Sequence, residues 1–240
     1  MVNKLIAFLK KIIKKLLPKS WRSFIEKNFK KYHSANGLDK KMLNYLNYEN
    51  GYYVEIGAND GVLQSNTLFF EKYKNWRGIL IEPIKDKYQN LIKNRNSKNI
   101  FYNKALVSFE YEKNTIKLIY SDLMTTIKDN IKIDINKQLQ EGDRHLNFYE
   151  KKEEFVAETS TLNDLLDSSN APNLIDFFSL DTEGYEKEIL KGIDFNKYNF
   201  KFLLVECINN FDEISFFLKK KNYEFIEKLS HIDYLFKFKN

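Results

Sequence analysis

The chain has 240 residues, 43% hydrophobic and 15% aromatic, enough apolar material for one packed domain with an appendage and too much for a disordered chain. Its net charge of +6 is uneven: residues 1–31 hold ten Lys and Arg and one acid, Glu26, leaving twenty-nine basic groups against thirty-two acidic ones elsewhere, which excludes a basic nucleic-acid-binding body. The single cysteine, Cys207, permits neither an internal disulfide nor a thiolate metal cluster, and suits a reducing compartment.

Residues 1–37 read as a basic amphipathic helical arm. Leu5, Ile6, Leu9, Ile12, Ile13, Leu16 and Leu17 recur at three- and four-residue steps with lysines between them, and Pro18 breaks the pattern. Trp21, Phe24, Ile25, Phe29 and Tyr32 repeat it over Trp21–Tyr32. Such helices either lie in the interface of an anionic bilayer or pack their stripe on the body or on a second subunit, so an oligomer stays open. The longest apolar run near the N-terminus, Leu5–Leu9, is far short of the roughly 18 residues of a spanning helix, and no signal-peptide core follows the first lysine. The expected location is cytoplasmic, with peripheral contact at the inner face of the membrane through residues 1–31.

From residue 38 to 240 the pattern is α/β. A short helix at Lys40–Tyr48 precedes apolar, β-branched or aromatic runs at Tyr52–Ile56, Gly78–Glu82, Ile100–Val107, Leu174–Leu180 and Phe202–Glu206, most of them separated by helical stretches. This alternation predicts an open, mostly parallel sheet covered on both faces. Tyr223–Leu229 and Ile232–Phe238, separated only by Ser230 and His231, read as an antiparallel hairpin at its edge. Residues 111–155 break the rhythm with one candidate strand, Ile116–Tyr120, and a polar stretch holding Gly142, Asp143, Arg144 and His145, the pattern of an insert over the sheet that carries substrate contacts.

Glycine is scarce, eight in all, yet Gly57 and Gly61 fall together in VEIGANDG, Val54–Gly61. A strand running into a glycine turn and then a helix presents its end and its backbone N–H groups to a nucleotide. Glu82 closes the next strand, where an acid accepts the hydroxyls of an adenosine ribose. The dinucleotide fingerprint G-x-G-x-x-G is absent, and Asp60 in the turn opposes a diphosphate, so the loop favours a cationic ligand, S-adenosylmethionine.

These motifs, with QSNT at Gln64–Thr67, IEP at Ile81–Pro83, NKAL at Asn103–Leu106, STLNDLL at Ser160–Leu166, IDFFSLDTEGYEKEILKG at Ile175–Gly192, LLVE at Leu203–Glu206 and DYLF at Asp233–Phe236, resemble the FkbM-type S-adenosylmethionine-dependent O-methyltransferases over about residues 50–238. The resemblance implies a class I methyltransferase, Rossmann-like fold with a seven-stranded sheet whose last strand is antiparallel. It implies methyl transfer to a hydroxyl of a natural product or of a sugar, nucleotide-linked or in a surface polysaccharide such as a capsule. Glu55, Gly57, Asn59, Asp60 and Gly61 would line the methionine side of the cofactor and Glu82 its ribose, with Ser65, Asn66, Thr67, Asn103 and Ala105 completing the pocket.

Asp181 and Glu206 close adjacent strands at the ligand-binding edge of such a sheet. Two carboxylates there can hold Mg²⁺ or Mn²⁺, or one can act as base, with His231 as third ligand or base and His145 a weaker candidate. The competing readings are Asp181 as a helix cap, His231 as a surface turn residue and Cys207 as buried strand filler. The expected function is a sugar-directed O-methyltransferase assisted by a divalent ion. A small-molecule O-methyltransferase and a non-catalytic, membrane-associated nucleotide-binding module are the alternatives.

Overall fold

In the computed structural model, residues 18–120, 126–127 and 154–239 are described. The first amphipathic stripe of the arm and the polar stretch around His145 lie outside them. The chain runs α1 (Lys19–Phe29), a 3₁₀ turn at Ala35–Gly37, α2 (Leu38–Met42), β1 (Tyr52–Ile56), α3 (Leu68–Lys74), β2 (Arg77–Ile81), α4 (Lys85–Asn94), β3 (Ile100–Tyr102) and β4 (Ala105–Leu106). It continues through β5 (Thr115–Ile119), β6 (Thr126–Ile127), β7 (Glu154–Ser160), α5 (Leu162–Ser168), β8 (Leu174–Leu180), α6 (Glu186–Leu190), β9 (Asn199–Glu206), α7 (Phe211–Lys220), β10 (Tyr223–Lys228) and β11 (Asp233–Phe238).

Seven strands form the central sheet in the order β10-β11-β9-β8-β1-β2-β3. All neighbours are parallel except β11, which runs antiparallel to both β9 and β10. This is the seven-stranded arrangement that the motifs imply, the class I methyltransferase, Rossmann-like topology, including the edge hairpin. The strands are apolar on both faces because both are covered. Val54, Ile56, Ile79, Ile81, Phe178 and Val205 point to one side and pack with Leu162, Leu166, Ile189 and Leu218 of the helices there. Tyr53, Leu80, Phe177 and Leu204, one residue out of phase, point to the other and meet Met42, Phe69, Phe70 and Leu91. The two-residue strand period thus builds two cores from one sheet.

Two regions depart from the sequence reading. The single strand expected over Ile100–Val107 is two, because Asn103 turns the chain by donating its side-chain amide to the carbonyls of Glu82 and Pro83 (2.8 and 2.9 Å). β4 then leaves the main sheet and pairs in parallel with β7. β7 was not foreseen: its residues, EFVAETS, bury only Ala157 completely, so it lacks an apolar alternation. β4, β7, β5 and β6 make a second, four-stranded sheet around Val107, Ile116, Leu118 and Ala157.

The second stripe of the arm is helical, as α1, but Tyr32 lies beyond it and stacks on Phe69 at 5.1 Å. The chain is then latched to the body by Asp39, whose carboxylate accepts the His33 N–H (2.6 Å), the Ser34 hydroxyl (2.6 Å) and the Lys40 N–H (2.8 Å). His33 is buried with neither ring nitrogen hydrogen-bonded, and burial, helped by Lys72, lowers its pKa from 6.5 to about 4. The unfolded chain therefore takes up a proton at this position before the folded one does. Stability that is complete above pH 6.5 is lost as pH falls towards 4. His33→Leu is expected to flatten the pH dependence of urea midpoints across that window, while leaving the slope below pH 4 unchanged.

Candidate cofactor and active site

The loop after β1 is shaped by backbone restrictions. Gly57 has φ +73, and a Cβ there would stand 2.2 Å from the Asp181 carbonyl oxygen, so only glycine lets the ends of β1 and β8 approach. Asn59 adopts φ +50, a left-handed conformation that asparagine tolerates, and its N–H donates to Glu82 Oε2 (2.8 Å). Asp60 Oδ1 accepts the N–H groups of Val62 and Leu63 (2.9 and 2.8 Å), which closes the turn.

Beneath this loop lies a buried ionic network. Glu55 accepts hydrogen bonds from the Asn66 N–H (2.8 Å), the Thr67 hydroxyl (2.6 Å), the Ser65 hydroxyl (3.0 Å) and Arg95 (3.1 Å). Arg95, fully buried at the end of α4, also donates to Glu71 (2.8 Å), the Tyr53 hydroxyl (2.8 Å), the Thr67 hydroxyl (2.9 Å) and the Gly61 carbonyl (3.3 Å). One guanidinium therefore holds both ends of the 61–67 segment against β1.

A cleft of about 980 Å³ opens over the strand ends. Of the residues that the sequence nominated for cofactor binding, Gly57, Asn59, Ser65, Glu82 and Ala105 line it; Glu55, Asp60, Gly61, Asn66, Thr67 and Asn103 do not, being engaged in shaping its walls. Ile84, Leu118, Thr182 and Tyr185 line it without having been singled out, and Lys104 and Glu183, read only as parts of the NKAL and D-T-E-G motifs, line it too. Leu118 comes from β5, so the start of the insert reaches the cleft.

Glu82 sits at one end, with Oε2 fixed by the Asn59 N–H and Oε1 by the Ile84 N–H (2.9 Å). Burial outweighs those bonds and raises its pKa from 4.5 to about 7. At the other end Asp181 and Glu183 line the cleft, and Glu206, outside its lining, completes a group whose carboxylate oxygens lie within 4.8 Å of one another. Burial, then Asp233 and Glu186, push Asp181 up to about 7. Glu206 is driven well above the usual carboxylate range by burial and by Asp181, and one of its oxygens is buried without a hydrogen-bond partner. Both groups are thus held above the ordinary carboxylate range by burial and by the acids around them. Glu186 is not free: one of its oxygens accepts the Thr182 and Gly184 N–H groups (3.0 and 2.9 Å) and so caps the turn that carries Glu183.

His231 is not among these side chains. The register of β11 pairs Asp233 with Glu206, so His231 stands two residues further out, exposed in the hairpin turn. Glu183 takes the place in the cluster that the sequence reading gave to His231. Its signal was present in D-T-E-G, where Glu183 at φ +57 before Gly184 at φ +99 folds the chain back over the strand end. Cys207 is buried just after β9 and its thiol is pushed up by burial, as expected of strand filler.

The network is testable without any ligand. Arg95→Met removes the counter-charge of two buried carboxylates and is expected to cost about 3–5 kcal/mol of stability. For a domain of this size that lowers Tm by roughly 2–4 °C per kcal/mol, measured by circular dichroism. A Tm within a degree of wild type would show that Glu55 and Glu71 are held by other groups.

Residues 55–225 match the family model described as the methyltransferase FkbM domain. Among solved structures, the chain is similar to a methyltransferase FkbM from Methylobacillus flagellatus KT, at 16% identity and a TM-score of 0.46, covering 81% of this chain and 45% of that one. It is also similar to phosphoethanolamine N-methyltransferase 1 of Haemonchus contortus in complex with phosphoethanolamine and S-adenosylhomocysteine, at 11% identity and a TM-score of 0.36, covering 98% of this chain and 46% of that one. The chain thus spans less than half the length of either protein. Among curated proteins none matches it significantly. Since the family match takes in well over half of the sequence and includes both ends of the cleft, the chain belongs to the FkbM methyltransferase domain family.

Proposed function

We propose that this protein is an S-adenosylmethionine-dependent O-methyltransferase acting on a sugar hydroxyl, nucleotide-linked or in a surface polysaccharide, with a divalent ion, Mg²⁺ or Mn²⁺, at its acidic end. One observation carries the reading: the cleft has an oriented carboxylate, Glu82, at one end and a cluster of acids with no basic side chain among them at the other. A ligand that fits has a pair of hydroxyl donors at one end and positive charge at the other, which describes adenosylmethionine. Glu82, with each oxygen already held by one N–H, keeps lone pairs for two ribose hydroxyls. Gly57 lines the cleft and lets the ends of β1 and β8 meet there, so that Asp181 and Glu183 face the ligand's cationic part.

Bound there, adenosylmethionine supplies an electrophilic methyl group on its sulfonium. The protein's task is then to align an acceptor oxygen with that methyl and to receive the hydroxyl proton. Asp181 is placed to take it, because it lines the cleft and its pKa, raised by burial to about 7, suits a general base. Three hard oxygen donors, with a buried unpartnered oxygen on Glu206, also fit Mg²⁺ or Mn²⁺, which would lower the pKa of an acceptor hydroxyl. The resemblance to FkbM-type enzymes supports the acceptor class.

Calorimetry with adenosylmethionine is expected to show binding to the wild-type protein and about 10- to 100-fold weaker binding to Glu82→Gln, the loss of hydrogen bonds to a charged acceptor. Equal affinities would remove Glu82 from the cofactor site. Asp181→Asn is expected to lose at least about a hundredfold in turnover at saturating adenosylmethionine, a loss that weaker cofactor binding does not account for. Turnover would be followed by mass spectrometry of methyl gain across nucleotide-sugars, free glycosides and lipids. A chelator separates the two roles of the acids: activity that survives it, and is not raised by Mn²⁺, leaves Asp181 as a base without a metal.

A further inference from the structure

The polarity of α1 is reversed with respect to the body. Its Ser23 is buried, and the side chains of Asn94 and Lys72 donate to the Ser23 hydroxyl and the Lys27 carbonyl. Its apolar stripe points away: Trp21 is 62% exposed, Phe24 61% and Phe29 78%, with Ile25 between them. Helices of a single domain normally do the opposite. The sequence of the helix and the two residues after it carries Arg22, Lys27, Lys30 and Lys31, and its one acid, Glu26, is neutralised by Lys30 at 2.8 Å.

We infer that this face docks on a lipid bilayer containing anionic headgroups. Aromatic side chains on one side of a helix and lysines beside them match the acyl boundary and the headgroup charge of such a surface. The sequence before it repeats the composition, with five lysines and no acid in residues 1–17. A second copy of the chain is a poorer occupant, since a two-fold contact would bring two such lysine-rich faces together. Docking sets the cleft close to the bilayer: Ser34, five residues after α1, bridges to Gln64, which lines the cleft.

The test uses the full chain and vesicles of phosphatidylglycerol with phosphatidylcholine, against phosphatidylcholine alone. The protein is expected to co-float with the anionic vesicles and to be released by salt. Of the two tryptophans, Trp76 is buried in the core, so a blue shift of emission on binding reports Trp21. Phe24→Ser/Phe29→Ser keeps that reporter and every charge, and is expected to lower partitioning at least about tenfold with an unchanged Tm. The inference fails if wild type ignores both vesicle types or binds both equally. It also fails if the double variant partitions like wild type, or if sedimentation shows a dimer that the double variant abolishes and no vesicle binding.

Discussion

The geometry of the cleft depends on one buried ion cluster, the guanidinium of Arg95 between Glu55 and Glu71. Two carboxylates and one cation are removed from water together, which costs several kcal/mol per ion unless every lone pair and proton is used. Here they are used: Tyr53, Ser65, Thr67 and the Gly61 carbonyl take up Arg95's remaining donors or Glu55's acceptors. Apolar residues of the same volume could fill this space at similar stability. What they could not do is fix where the loop of residues 57–67 leaves β1. The network trades no obvious gain in free energy for a defined loop, and that loop carries Gly57, Asn59 and Ser65 into the cleft.

The same sheet edge shows the opposite condition a few residues away. Glu55 is buried beside a cation, whereas Asp181, Glu183, Glu206 and Glu186 converge with backbone N–H groups and each other as their compensation. Burial and mutual repulsion raise the pKa values of Asp181 and Glu206, so the cluster is relieved by holding protons or by meeting a positive ligand. Folding alone does not require such a concentration of acid. Two neighbouring acid sites, one satisfied from within and one left to be satisfied from outside, distinguish the wall of the cleft from its working end.

Much of this was legible from periodicity and position. β1 and β8 lie where the apolar runs placed them, and Glu82 reaches the cleft because an acid at the end of β2 has no other place to go. What could not be read was partnership across sequence distance. Glu55 in E-x-G-x-N-D-G looks like a ligand-binding acid until Arg95, forty residues on, claims it. His231 looked available because the hairpin's register, which turns Asp233 towards Glu206 instead, is set by pairing with β9 and not by the two-residue turn. β7 escaped notice since its inward face, Phe155, Ala157 and Thr159, holds one large apolar residue and Val156 lies on the outer face, and the break at Asn103 is made by a side-chain amide that propensity does not register.

The uneven charge along the chain gains a structural meaning from α1. Were the arm a simple packed appendage, Trp21, Phe24 and Phe29 would face the body, since each buried aromatic contributes roughly 1.5–3 kcal/mol to packing. Instead the helix is held by hydrogen bonds of its polar side and by the Asp39 latch, with Tyr32 supplying its own aromatic anchor on Phe69. Asn94 joins this arrangement to the loop: its amide donates to the Asp60 carbonyl at 2.9 Å and, more weakly, to Ser23 at 3.4 Å. A force that orders or tilts α1 therefore acts one side chain away from the turn that follows β1 and leads into the wall of the cleft.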